Sequence, residues 1–132
     1  MQPLSGLLVL DFTTLLPGPL ATLMLAEAGA EVIKIERPGG EDMRHYEPRF
    51  DGESAMFAVL NRGKKSLVSD LKNAAQRAEL VLLLQRADIL VEQFRPGVMA
   101  RLGLGYEAVK ALNPKLIYCS ITGYGQIGRA HV

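Results

Sequence analysis

The first 37 residues constrain the chain most. Leu7–Phe12, LLVLDF, is a short apolar run after Ser5-Gly6 and predicts a buried strand. Thr13–Pro19, TTLLPGP, predicts a loop, with Pro19 suited to a first helical turn. Leu20–Ala28 is rich in helix formers and apolar nearly all round, so a buried helix is expected, capped by Gly29. Glu31–Arg37 is rich in β-branched residues and predicts a second strand. Strand, helix and strand in this order imply a parallel pair with a right-handed crossover.

The alternation continues. Glu41–Gly52 is polar and predicts a loop or an irregular, partly helical excursion, and Ser54–Leu60 a short helix. Asn61–Lys65 is a basic turn, read either as a solvated loop or as a screen for phosphates through Arg62, Lys64 and Lys65. Ser66–Leu71 predicts a strand, and Asn73 caps a helix running to Arg86 with Leu80, Leu83 and Leu84 on one face. Ile89–Glu92 predicts a strand, Val98–Leu102 and Tyr106–Leu112 short helices, and Leu116–Ile121 a last strand. The fold class expected is α/β: a Rossmann-like, doubly wound, largely parallel sheet, its apolar strands covered by helices on both faces.

In such a sheet, ligands sit outside the carboxyl ends of the strands. The second strand ends in Glu36-Arg37 and is stopped by Pro38-Gly39-Gly40. A guanidinium there is a permanently charged fork suited to phosphate, so Arg37 reads as a grip on a phosphorylated small molecule or as an ordinary strand-end charge. The first loop carries Leu16-Pro17-Gly18-Pro19 and lacks G-x-G-x-x-G, which argues against a dinucleotide pyrophosphate on the first helix. With 48% hydrophobic and 22% charged residues, the 132-residue chain reads as one globular domain. A net charge of +1 implies no nucleic-acid face. No run is long enough to span a membrane, and no basic leader precedes the first one. The single cysteine, Cys119, fits a reducing, cytoplasmic setting and is expected mid-strand, buried and inert.

Several segments together resemble one family. LSGLLVLDFTTLLPGP, IERPGGEDMR, NRGKKSLVSDLK, ADILVEQFRPGVMARLGLGYE and NPKLIYCSITGYGQ are similar, in order and spacing, to family III CoA-transferases, the CaiB/BaiF group, which includes α-methylacyl-CoA racemases. The resemblance implies that residues 1–132 are the amino-terminal, CoA-binding part of such an enzyme, with no second domain. Coenzyme A or acyl-CoA is the implied partner, and no metal is implied. CoA would lie over the strand ends of a subunit that interlocks with a second copy in a homodimer.

Residue by residue, Arg37 matches an arginine that holds the CoA phosphates or adenine, and Lys72 a lysine near the same end. Phe94 matches an aromatic after the fourth strand, and Arg101 an arginine on the next helix that contacts the nucleotide. Gln93 stands where the formyl-CoA branch has asparagine, a small polar change, and Leu16 stands where it has glutamine; the Leu16 difference argues against a formyl or oxalyl substrate. The implied activity is acyl-CoA:carboxylate CoA transfer of the crotonobetainyl-CoA:carnitine type. A non-catalytic CoA- or nucleotide-binding module, a racemase-like fragment and a self-associating remnant without ligand are the alternatives. The family's reacting aspartate, or its histidine–aspartate pair, would lie downstream, so no catalytic residue is assigned. Asp11, Asp42, Asp70 and Asp88 do not match the nucleophile. His131 lacks the Gly-His-Asp setting of the racemase histidine.

Overall fold

A computed structural model describes residues 1–126; His131 lies outside them. The chain runs β1 (Leu8–Asp11), α1 (Pro17–Glu27), β2 (Glu31–Glu36), a 3-10 turn (Asp42–His45), β3 (Arg49–Phe50), β4 (Glu53–Ser54), α2 (Ala55–Asn61), β5 (Lys65–Val68), α3 (Ala74–Arg86), β6 (Ile89–Glu92), α4 (Val98–Arg101), α5 (Tyr106–Leu112) and β7 (Ile117–Ser120). Five strands form one parallel sheet in the order β5-β2-β1-β6-β7. The order reverses between β1 and β6. That is the switch point of a doubly wound sheet, where the outgoing loops part and leave a crevice.

Strand alternation divides the core. Leu8, Leu10 and Phe12 face one side and pack with Leu80 and Leu84 of α3, Met99 of α4 and Val109 of α5. Val9, Val32 and Val91 face the other side, against Leu25 and Ala26 of α1. Helices therefore cover both faces of the central strands. At the edges the expectation of strands covered on both faces fails: every residue of β5 is exposed, and so are three of the four in β7. Each edge strand has a neighbour on one side only, and Cys119 of β7 is exposed rather than buried.

Helix α1 begins at Pro17, three residues earlier than expected, because proline fits the first helical position. It is not buried all round. Gly18, Pro19, Thr22 and Leu23 face inward, whereas Leu20 and Met24 point out. Gly29, at φ +109°, ends the helix in the left-handed conformation, and the N–H of Ala30 returns to Leu25 O at 3.1 Å. Ser54 and Asn73 cap α2 and α3, accepting from Phe57 N and Gln76 N. The polar excursion after β2 contains the 3-10 turn and also a β3–β4 hairpin that its composition did not announce.

Candidate functional site

Among the cavities that the described residues form at the carboxyl ends of the strands, two adjoin Phe94. The first, about 340 Å³, is lined by Phe12, Thr14, Arg37, Ser69, Lys72 and Phe94 among others. The second, about 550 Å³, is lined by Pro17, Gln93, Phe94, Arg95 and residues 121–125. Phe94 borders both, and the loop from Thr13 to Pro17 runs between them. The ring also packs on the core, and its backbone N–H donates to Glu92 Oε1 at 3.0 Å, so this partition is anchored.

Arg37 leaves the end of β2 where consecutive glycines, Gly39 at φ +87° and Gly40 at φ +83°, turn the chain back. Its Nε donates to Gly40 O at 3.1 Å and its guanidinium pairs with Asp42, both side chains mostly exposed. Lys72 stands across the first cavity, also exposed. Gln93 belongs to the second cavity: Nε2 donates to Thr14 O at 2.7 Å, and buried Oε1 meets no donor among the described residues. Arg101 lies on α4, exposed, and lines neither cavity. The structure thus brings Arg37, Lys72 and Phe94 together, places Gln93 beside them, and sets Arg101 apart. Leu16 is exposed at the start of α1, one residue before Pro17.

Of the basic turn's three cations only Lys64 is internal, and each of the three is paired with a carboxylate, which argues against the phosphate screen considered for it. Lys64 Nζ is buried and donates to Asp11 Oδ2 at 3.2 Å, Pro19 O at 2.9 Å and Asn61 Oδ1 at 2.8 Å. Burial pushes its ammonium below the ordinary lysine value, against the opposing pull of Asp11. Arg62 and Lys65 are spent on surface pairs with Glu27 and Glu31.

Beneath the cavities lies a buried polar layer that the reading of the sequence missed. Asp11 accepts from Thr13 N at 2.8 Å, Thr13 Oγ1 at 2.5 Å and Thr22 Oγ1 at 2.6 Å. Glu36 accepts from Arg44 Nε at 2.7 Å and Nη2 at 2.6 Å, from Glu41 N at 3.1 Å, and from the Ser66 hydroxyl. Burial alone would raise the Glu36 carboxyl. The hydrogen bonds from Arg44, Ser66 and Glu41 N outweigh it and hold the group at about 2. Arg44 in turn lies 3.9 Å from the centroid of Phe57. Lys34 pairs with Glu41. One signal was available: Lys34 and Glu36 share the strand face of buried Val32, so both point inward and each needs a partner.

Every carboxylate of the buried layer is engaged, as is Asp42 by Arg37. The N-terminus of α1 has prolines at residues 17 and 19, which lack N–H groups, so it offers little to a phosphate. Arg37 and Lys72 bring positive charge to the first cavity and Arg95 to the second, whose walls also include Gln93, Thr122 and the apolar Pro17, Phe94, Pro96 and Ile121.

The family model described as CoA-transferase family III matches residues 4–131. The chain is 49% identical to acetyl-CoA:oxalate CoA-transferase of Acetobacter aceti, over 96% of its own length and 33% of that protein. It is 48% identical to succinate--glutarate CoA-transferase of Agrobacterium fabrum, over 96% and 34%. Among solved structures, Rv3272 from Mycobacterium tuberculosis superposes with a TM-score of 0.90 at 45% identity, covering 96% of this chain and 36% of that one. The chain therefore spans about a third of the length of the curated relatives it matches.

Proposed function

Because the chain belongs to CoA-transferase family III, we propose that it is the CoA-binding part of an acyl-CoA:carboxylate CoA-transferase of the crotonobetainyl-CoA:carnitine type. The observation that carries this reading is the pair of cavities meeting at Phe94. A ligand that fills both has an anionic head beside Arg37 and Lys72 and a long neutral arm past Phe94. Coenzyme A has that form: a phosphorylated adenosine followed by the pantetheine arm and its thioester. Arg37 offers a bidentate fork to phosphate and Lys72 a point charge. Phe94 offers a flat face to the adenine or the arm. Gln93, its amide fixed on Thr14 O, supports the arm at the entrance to the second cavity. Arg101, exposed on α4 with its guanidinium beside Gly97, is proposed to reach the nucleotide from the rim.

The described residues supply binding and orientation. The covalent step of a transferase, attack of a carboxylate on the thioester carbonyl with the CoA thiolate leaving, is proposed to use a carboxylate that these residues do not contain. The names of the relatives, CoA transfer between carboxylic acids, support transfer over racemisation. A homodimer and a cytoplasmic setting belong to the same reading.

The test is calorimetric titration of CoA into the chain and into its Arg37→Ala variant. Loss of a charge-assisted phosphate contact, worth about 1.5–3 kcal/mol, should weaken binding roughly 10- to 150-fold. Equal binding by the variant would remove Arg37 from the site. Acyl exchange between an acyl-CoA and a carboxylic acid by this chain alone would show that it does hold a reacting carboxylate.

A further inference from the structure

Lys34 and Glu41 form an ion pair with each side chain only 1% exposed. Each spends a further bond on the same short loop. Lys34 Nζ donates to Thr13 O at 2.9 Å, and Glu41 Oε1 accepts from Leu15 N at 2.9 Å. Between these two grips the backbone is held at φ +66° at Leu15, a left-handed conformation that a side chain of this size avoids. The strained loop is the ridge between the cavities: Thr14 lines the first and Pro17 the second. A buried ion pair adds little net stability over an apolar pair of the same volume. Strain at a crevice kept in place by surrounding bonds points to use of the loop.

We infer that Glu41, anchored by Lys34, is a positioning residue: it holds Leu15 in the left-handed turn and thereby sets the ridge that a ligand spanning both cavities crosses. The inference rests on the CoA reading above. It assigns the reach of the ligand's arm, and not its nucleotide end, to an ion pair that neither cavity's anion contacts require.

Removing one partner strands a buried charge, so the comparison is between two neutral pairs. K34M/E41Q keeps an acceptor for Leu15 N, and K34M/E41L does not. The probes are CoA and adenosine 3′,5′-bisphosphate, which lacks the arm. K34M/E41L should bind CoA about tenfold more weakly than K34M/E41Q, the scale of one buried hydrogen bond. Adding Leu15→Gly, which accepts the left-handed turn freely, should restore most of the loss. The bisphosphate should bind K34M/E41Q and K34M/E41L alike, since both carry a neutral residue where Glu41 lines the first cavity. Leu15→Val, which strains the turn with the ion pair intact, should reproduce the selective loss and serves if K34M/E41L does not fold. In the ligand-free chain, amide exchange at Leu15 should be about tenfold faster in K34M/E41L than in K34M/E41Q. Equal CoA affinity in the two neutral pairs, a loss shared by the bisphosphate, or unchanged exchange at Leu15 overturns the inference. If the unaltered chain and its Arg37→Ala variant bind CoA equally, the site reading fails instead, and exchange at Leu15 still decides whether Glu41 holds the turn.

Discussion

Replacing Glu36 with glutamine should destabilise the chain at neutral pH and leave it unaffected near pH 2. The carboxyl sits at about 2 in the fold against 4.5 unperturbed. At about 1.4 kcal/mol for each tenfold change in proton affinity, that difference corresponds to roughly 3 kcal/mol. Arg44, the partner that contributes most, is 31% exposed, and screening by water lowers the expected value to about 2 kcal/mol. The sign follows from the direction of the shift. A depressed carboxyl contributes its full stability above pH ~5, and the contribution is lost as pH falls towards 2. Glu36→Gln has no such proton to bind, so its stability should change less over the same window. Urea unfolding followed by circular dichroism at pH 7, 5, 4, 3 and 2 checks this. The two curves of stability against pH should lie about 2 kcal/mol apart at pH 7 and converge at the acid end. Parallel curves would refute the assignment of this acid sensitivity to Glu36. A difference below ~0.5 kcal/mol at pH 7 would show that the Arg44 and Ser66 bonds only replace bonds to water.

Lys64→Met should cost about 3 kcal/mol in thermal or chemical unfolding, because Asp11 then remains buried without its cation. Adding Asp11→Asn should recover at least ~1 kcal/mol of that loss, whereas a further loss would show that the threonine bonds to Asp11 require its charge. Tyr118 donates to Leu104 O at 2.8 Å, and burial, reinforced by Glu92, raises its phenol. In an alkaline absorbance titration the last tyrosine to ionise should be absent from Tyr118→Phe, with a stability cost of about 1 kcal/mol. An unchanged titration in that variant would refute the assignment.

The resemblance in the sequence reached the family, and the family model and solved structure agree with it. The site was legible in part. Arg37 and Phe94 follow strand ends that any α/β reading would inspect, and both line the first cavity with Lys72. Arg101 was placed by resemblance alone, and in the fold it lines neither cavity, its guanidinium lying beside Gly97. Ser69 and Arg95, which line the crevice, carried no signal because each resembles an ordinary loop residue.

The order of the five sheet strands and of the helices between them was determined by the sequence alone, since apolar spacing reports which residues share one element. The parallel sheet followed, because strands joined through helices have little other way to pair. Tertiary structure decided what the polar residues do. Lys64 finds Asp11 across 53 residues, and Ser66 finds Glu36 across 30. Tertiary structure also left one face of α1 and the outer side of β7 uncovered. Periodicity is local, whereas burial of a charge depends on which distant group the fold brings to it. In the same basic turn, Arg62 and Lys65 stay on the surface while Lys64 is drawn inside onto Asp11.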